Sequence, residues 1–259
     1  VNRIGKWPKS AIANACVIRV TNQCDQRCEH CCFRSGPENV GHMSVEMCKR
    51  LNSWIPPIVV MNIMGGEFTI LRDYPDMLLA LAKGRDHIRM VTNGFWAHDK
   101  LRIRKFMSTM EQLVDVCGEV DVAVSGDKWH IKSGQPAMDI LANNDVGVNY
   151  VRHEYVVELT PIGRAWDNDL ETKENIASCL VMCNMFVRED GMICRCPYGY
   201  FPLQQFDETP WHAVQERIWS WRKGRLNNDI FCVDCMQDDQ AVNQGKTTKV
   251  PALVQLEVK

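Results

Sequence analysis

Five short runs rich in β-branched residues punctuate the chain up to residue 160: "ACVIRVT" (15–21), "PIVVMNIMGG" (57–66), "IRMVTNG" (88–94), "VDVAVSG" (120–126) and "VGVNYVRHEYVVELT" (146–160). The segments between them carry helical periodicity instead. Ser44 stands where it can cap a helix with Met47, Leu51 and Trp54 on one face, and residues 74–83 close at Gly84. Ile103, Phe106, Met110 and Leu113 repeat at helical spacing, and a short fourth helix is expected near 137–143. Strand–helix–strand repetition predicts an α/β fold, a parallel sheet with right-handed crossovers that is open or curled toward a barrel. Chemistry in such sheets gathers at the carboxyl ends of the strands. Here those ends read "TNQC", "MGGE", "TNGF" and "SGDK", all small, polar or ligand-bearing.

After "TPIGRAWD" the rhythm stops and the remainder is loop-rich, cysteine-rich and aromatic, so two domains are expected, 1–160 and 161–259. The 30 basic and 32 acidic residues are well mixed, which gives no bulk signature for a nucleic acid or an anionic membrane. No run of eighteen apolar residues occurs, and the opening "VNRIGKWPKSAIANA" lacks the apolar stretch of a secretory signal, so a cytoplasmic location is expected. Thirteen cysteines in a reducing compartment point to metal or redox chemistry rather than disulfides. Ten of them cluster: Cys24, Cys28, Cys31 and Cys32 in front, then Cys179, Cys183, Cys194, Cys196, Cys232 and Cys235. Cys16, Cys48 and Cys117 stand apart and read as small buried apolar residues.

Cys24, Cys28 and Cys31 follow a C-x3-C-x2-C spacing in the loop after the first strand. Three thiolates from one loop can hold three corners of a cubic iron–sulfur cluster and leave the fourth iron open. A zinc site completed by His30 or Cys32 uses the same residues equally well. One strand–helix unit later comes "GGE", and the combination resembles the radical S-adenosylmethionine (SAM) superfamily. The resemblance implies that Cys24, Cys28 and Cys31 ligate a 4Fe-4S cluster whose open iron is chelated by the amino and carboxylate groups of SAM. Gly65 and Gly66 would let the backbone approach the methionine moiety, and Glu67 would accept a hydrogen bond from its amino group. "SGDKWH" is similar to the S-x-D pattern of several branches, which implies Ser125 and Asp127 at the ribose hydroxyls. Asn93 is either a ligand contact or a turn residue, and Arg152 either pairs with the SAM carboxylate or is solvated. His30 replaces the usual aromatic residue before the third cysteine and is placed to stack on or hydrogen-bond the adenine; Cys32 reads as a spare buried thiol. The six-stranded partial barrel of the family is expected in abbreviated form, about five strands and four helices, because little chain separates "SGDKWH" from "PIGRA".

The last third resembles the SPASM and Twitch extensions of such enzymes. Eleven residues separate Cys179 from Gly191 and four separate Gly191 from Cys196, matching C-x(9–15)-G-x4-C. "EDG" reads as a hairpin turn with Gly191 at positive φ, and Thr209 and Pro210 open a helix with Trp211, Val214, Ile218 and Trp221 on one face. No cysteine follows Cys235, so the resemblance is to Twitch, with one auxiliary 4Fe-4S cluster on Cys179, Cys196, Cys232 and Cys235. Cys183 and Cys194 compete for these places, and a zinc ribbon is the alternative. The function implied is reductive cleavage of SAM to a 5′-deoxyadenosyl radical that takes hydrogen from an unactivated C–H bond. Oxidation of a small metabolite or peptide, the auxiliary cluster taking the second electron, is the first expectation. Epimerisation with Cys117, Cys183 or Cys194 as hydrogen donor is the second, and a non-catalytic zinc-binding adaptor is a reading of another class. A flavodoxin or ferredoxin type electron donor is implied. Because 23 residues precede Cys24, a peptide substrate would call for a separate leader-peptide-binding protein or little leader at all, and the expectation tilts slightly toward small molecules.

Overall fold

The computed structural model describes residues 15–127, 129–153, 168, 185–196, 199–207 and 209–226. Its first part is the expected alternation: β1 (Ala15–Arg19), α1 (Val45–Trp54), β2 (Val60–Met64), α2 (Tyr74–Ala82), β3 (Arg85–Thr92), α3 (Lys100–Val116), β4 (Cys117–Ser125), α4 (Ile131–Ala142) and β5 (Asn149–His153). Each of these strands pairs in parallel with its sequence neighbour. The free edge of β1 is then taken by β6 (Met185–Val187), again in parallel, and β7 (Met192–Cys194) and β8 (Pro202–Gln205) add antiparallel to it. The described strands therefore form one mostly parallel sheet in the order β5-β4-β3-β2-β1-β6-β7-β8. The expected domain boundary near Pro161 and the chain from 154 to 160 lie outside the described residues.

Local chemistry explains most of the element ends. The Ser44 side chain accepts from Met47 N and starts α1, and Asp99 does the same for Leu101 N and Arg102 N at α3. Gly84 at φ 72° ends α2, and Gly191 at φ 80° makes the expected turn between β6 and β7. The fourth helix starts at Ile131, six residues before the expected 137, because Gly134 and Pro136 read as breakers in the bare sequence. Gly134 instead lets the helix pass close to the end of β4: a Cβ there would overlap the Ser125 carbonyl. Both β3 and β4 begin three residues earlier than their apolar runs, through Arg85, His87 and Glu119.

Those charged residues are accommodated by the two faces of the sheet. Cys16, Ile18, Met61, Ile63, Ile88, Met90, Val120 and Val122 point to the helices and pack with Leu51, Leu78, Leu81, Met110 and Leu113. Trp96 and Phe106, both fully buried, stack at 3.9 Å between ring centres. On the other face one register row runs Asn149, Asp121, Arg89, Asn62, Val17, Phe186 and Cys194. Its polar half is internally paired: Arg89 Nε and His87 Nε2 lie 2.8 and 2.9 Å from Asp121 Oδ2, and Asn149 Nδ2 donates to Oδ1 at 3.1 Å. Burial works against that carboxylate, but the bonds from His87 and Arg89 prevail and hold it down at about 2. Cys16, Cys48 and Cys117 are buried, as expected.

The C-terminal elements are fastened to this frame. Arg19, in β1, donates from Nε and Nη2 to Glu189 in the β6–β7 turn, at 2.6 and 3.2 Å. Helix α5 (Trp211–Leu226) buries Val214 and Ile218, and Trp54 of α1 meets both Trp211 and Phe206 edge-on at 5.0 and 5.1 Å. Among the described residues no helix is long and apolar enough to cross a membrane.

The Trp96–Phe106 stack offers a direct check on the helix-side core. Phe106→Ala is expected to lower the unfolding free energy in urea by about 3–5 kcal/mol, the range for truncating a buried aromatic side chain. A loss below about 1 kcal/mol would contradict the packing described.

Candidate functional site

The chain leaving β1 crosses the carboxyl ends of the strands as a loop over 20–43 that carries Cys24, Cys28 and Cys31, all half-buried. Backbone bonds seat it on the end of β2: Gly66 N donates to Thr21 O and Glu67 N to Gln23 O, both at 2.9 Å. The loop also closes on itself, with Cys24 N to Gly36 O at 3.1 Å and Ser35 Oγ to Asn22 Oδ1 at 2.7 Å. The two glycines are needed for this seating. Gly65 has φ 125°, where residues with a Cβ are strained, and a Cβ on Gly66 would overlap the Gln23 carbonyl.

Glu67 is 2% exposed and its carboxylate faces inward. Oε1 accepts from Thr69 N at 3.2 Å, Thr69 Oγ1 at 2.6 Å and Thr92 Oγ1 at 2.9 Å, and Oε2 accepts from Asn93 N at 2.7 Å. Burial raises its pKa to about 7 against the pull of those bonds. Asn93 extends the connection: Nδ2 donates to Asp25 Oδ1 at 2.7 Å and lies 3.8 Å from Cys24 Sγ. The Cys24 thiol is pushed well above its usual range, chiefly by burial.

The end of β4 closes on the same loop from the other side. Asp127 Oδ1 accepts from Trp129 N at 3.0 Å and lies 2.7 Å from His130 Nδ1, while Oδ2 is 3.7 Å from His30 Nε2. His130 Nε2 in turn is 3.1 Å from Cys28 Sγ. Burial opposes charge on this imidazole, but Asp127 and Cys28 outweigh it and bring its pKa up to about 10. His30 stacks on Trp129 at 4.0 Å, so one of its faces is covered by a residue of the β4 end. Ser125 is buried at the end of its strand. Arg152 holds the neighbouring turn, donating from Nη2 to Gly126 O at 2.8 Å. Sequence reasoning missed Trp129 and His130; the signal was present, since both lie within three residues of Asp127 in "SGDKWH".

At the rear, Cys194 is fully buried on β7 and Cys196 lies in the turn after it, its carbonyl accepting from Gly199 N at 3.1 Å. Tyr200 in that turn donates its hydroxyl to Cys32 O at 3.0 Å and accepts from Arg34 Nη1 at 2.9 Å, which joins the rear turn to the front loop. Cys179, Cys183, Cys232 and Cys235 lie outside the described residues.

Three half-buried thiols on one loop are the kind of donor set that a cubic cluster with one open iron takes. Among the described residues, ligand atoms converge within 4.8 Å in two groups, His30–Asp127–His130 and His87–Glu119–Asp121, and neither includes a cysteine.

Comparison with known proteins agrees with this geometry. Residues 18–115 match the Radical SAM superfamily. The chain is 26% identical over 117 residues to YydG of Bacillus subtilis (strain 168), a protein named for peptide biosynthesis; the match takes in 44% of this chain but 35% of that relative. In fold it is similar to BtrN in complex with AdoMet and 2-DOIA, with a TM-score of 0.54 at 15% identity over 84% of this chain and 91% of that one. It is similar also to anSMEcpe with bound AdoMet and Cp18Cys peptide, with a TM-score of 0.50 at 13% identity over 78% and 80% of the two chains. The sheet is thus the partial barrel of a radical SAM protein. Residues 18–115 thus match the radical SAM superfamily, whose members use SAM and a 4Fe-4S cluster.

The seating of the loop can be tested at its tightest point. Gly66→Ala is expected to cost about 1–3 kcal/mol, the range for overpacking, and to reduce the iron taken up on anaerobic reconstitution. Unchanged stability and unchanged iron content would contradict the close approach of Gly66 to Gln23.

Proposed function

We propose that this chain is a radical SAM oxidoreductase with a Twitch-type C-terminal part, and that it oxidises a C–H-bearing substrate by dehydrogenation or bond formation. The observation that carries the reading is the C-x3-C-x2-C loop seated by a double glycine on the end of β2, at the carboxyl edge of a parallel sheet. When bound, the cluster and SAM supply a 5′-deoxyadenosyl radical that removes a hydrogen atom from the substrate. In the proposal Cys24, Cys28 and Cys31 hold the front cluster. Gly65 and Gly66 admit the cofactor to the backbone, while Ser125, Asp127, Asn93, Arg152 and His30 surround it. Cys179, Cys196, Cys232 and Cys235 hold a second 4Fe-4S cluster in the domain 161–259, which receives the second electron. In the proposal the substrate lies on the side of the sheet away from the helices, near the paired charges of Arg89 and Asp121.

A peptide is the preferred substrate class, because the sequence relative is named for peptide biosynthesis. This moves the reading from the small-molecule tilt of the bare sequence. A flavodoxin or ferredoxin type donor and a separate leader-peptide-binding protein are the partners proposed with it.

A second reading, epimerisation, is favoured by one observation. Cys194 is packed with Val17 and Phe186 on the side of the sheet away from the helices, and burial raises its thiol to about 12, so it keeps the hydrogen that a donor must deliver. Of the other candidates, Cys117 packs in the helix-side core, and Cys183 lies outside the described residues.

Anaerobic reconstitution is expected to give brown protein with about eight irons per chain, two cubanes by ligand count. Joint replacement of Cys24, Cys28 and Cys31 by alanine is expected to leave about four and to abolish 5′-deoxyadenosine formation. Colourless, zinc-loaded protein would support the adaptor instead. With substrate in hand, Cys232→Ala/Cys235→Ala is expected to keep 5′-deoxyadenosine formation and lose the oxidised product. A product of unchanged mass that takes one deuterium from heavy water would overturn oxidation in favour of the epimerase.

A further inference from the structure

Both chain neighbours of Cys24 are tied to other strand ends. Ahead of it, Gln23 O accepts from Glu67 N at the end of β2, at 2.9 Å. Behind it, Asp25 Oδ1 accepts from Asn93 Nδ2 at the end of β3, at 2.7 Å. One buried group fixes both ties. The Glu67 carboxylate accepts from Thr69 N and Oγ1 on its own turn and from Thr92 Oγ1 and Asn93 N on the neighbouring strand. Asn93 is further set by Phe95 N, which donates to its Oδ1 at 2.9 Å and turns the amide so that Nδ2 faces the cysteine loop.

Resting on the radical SAM reading, we infer that Glu67 is a positioning residue for Cys24: its carboxylate locks the ends of β2 and β3 in the arrangement that brackets this thiol for iron. Three of these donors meet Oε1, and Asn93 N meets Oε2, so the two oxygens are engaged by the turn after β2 and by the end of β3. A carboxylate suits the position because it can serve donors from two elements at once, and bonds to a charged acceptor are shorter and stronger than neutral ones. Its removal would leave the buried Asn93 N without an acceptor, and the cost of that donor falls on the strand end that holds Asp25. The acid of "GGE" therefore acts through Asn93 and Gln23 on the cysteine loop.

The test uses the metal-free full-length chain first. Iodoacetamide labelling at Cys24, followed by peptide mass spectrometry with Cys28 as internal reference, is compared for wild type, Glu67→Ala, Glu67→Gln and Asn93→Ala. Both alanine variants are expected to raise labelling of Cys24 about fivefold to tenfold through local opening, with Cys28 changed by less than about twofold. Glu67→Gln keeps an oxygen for Asn93 N and is expected to recover most of the protection. On reconstitution the glutamine variant is expected to take up wild-type iron and to bind SAM within about twofold of wild type, since its role needs acceptor geometry and no ion pair. Should Glu67→Ala fail to fold by circular dichroism, Asn93→Ala and Glu67→Gln decide alone. Unchanged Cys24 labelling in the folded alanine variants would overturn the inference. So would a glutamine variant with normal labelling and iron but SAM affinity lower by about tenfold or more, the mark of lost contact with a charged group. Failure of the wild-type protein to assemble any SAM-responsive cluster would instead overturn the radical SAM reading, while the labelling in the metal-free chain still decides what Glu67 does.

Discussion

The cysteine loop is held at the edge of the sheet by two backbone hydrogen bonds, Gly66 N to Thr21 O and Glu67 N to Gln23 O. They exist only because Gly66 has no side chain: any Cβ would meet the Gln23 carbonyl first. From that contact the site follows in both directions. The Glu67 carboxylate continues it sideways into β3, reaching Thr92 and Asn93, and Asn93 returns to the loop at Asp25. The β4 end meets the loop from the opposite side through His130 at Cys28 and Trp129 over His30. Three strand ends thus converge on one cysteine-bearing loop. This is how a parallel sheet concentrates chemistry at its carboxyl edge.

Much of this is legible in the chain before any coordinates. Apolar alternation places the five core strands, because residues such as Ile88, Met90, Val120 and Val122 must turn one face to the helices. The Cys24, Cys28 and Cys31 spacing and "GGE" point to the site, because close backbone approach demands glycine. What escapes is whatever depends on partners far away in sequence. Strand starts at Arg85 and Cys117 are hidden because the charges of Arg85, His87 and Glu119 read as loop until His87 is seen to meet Asp121 and Glu119 on the next strand. Glu67 looks like a ligand in isolation, and its inward orientation appears only with Thr92 and Asn93 beside it, twenty-five and twenty-six positions on. The start of α4 is missed because Gly134 and Pro136 outweigh periodicity in a local reading, while the tight crossing at Ser125 is a tertiary fact.

The C-terminal part changes how the core is closed rather than simply following it. Strand β6 takes the edge of β1, and an unpaired edge there would have left exposed backbone donors and acceptors. Arg19 is the pivot of this junction. Its guanidinium pairs with Glu189 and lies about 5.8–5.9 Å from the ring centres of Phe186 and Phe33, so charge and aromatic faces hold the hairpin against the front loop. Tyr200 completes the clasp at the Cys32 carbonyl. The front cysteines and the turn carrying Cys196 are therefore parts of one mechanical unit.

The central claim is that Cys24, Cys28 and Cys31 hold a cluster with one iron open to SAM. Electron paramagnetic resonance of the dithionite-reduced protein, recorded anaerobically in the Cys232→Ala/Cys235→Ala background with and without SAM, tests it most directly. The account predicts the signal of a reduced 4Fe-4S cluster whose g-values shift when SAM is added, because the amino and carboxylate groups bind the open iron. A signal indifferent to SAM, or one that persists when Cys24, Cys28 and Cys31 are also replaced, would contradict it.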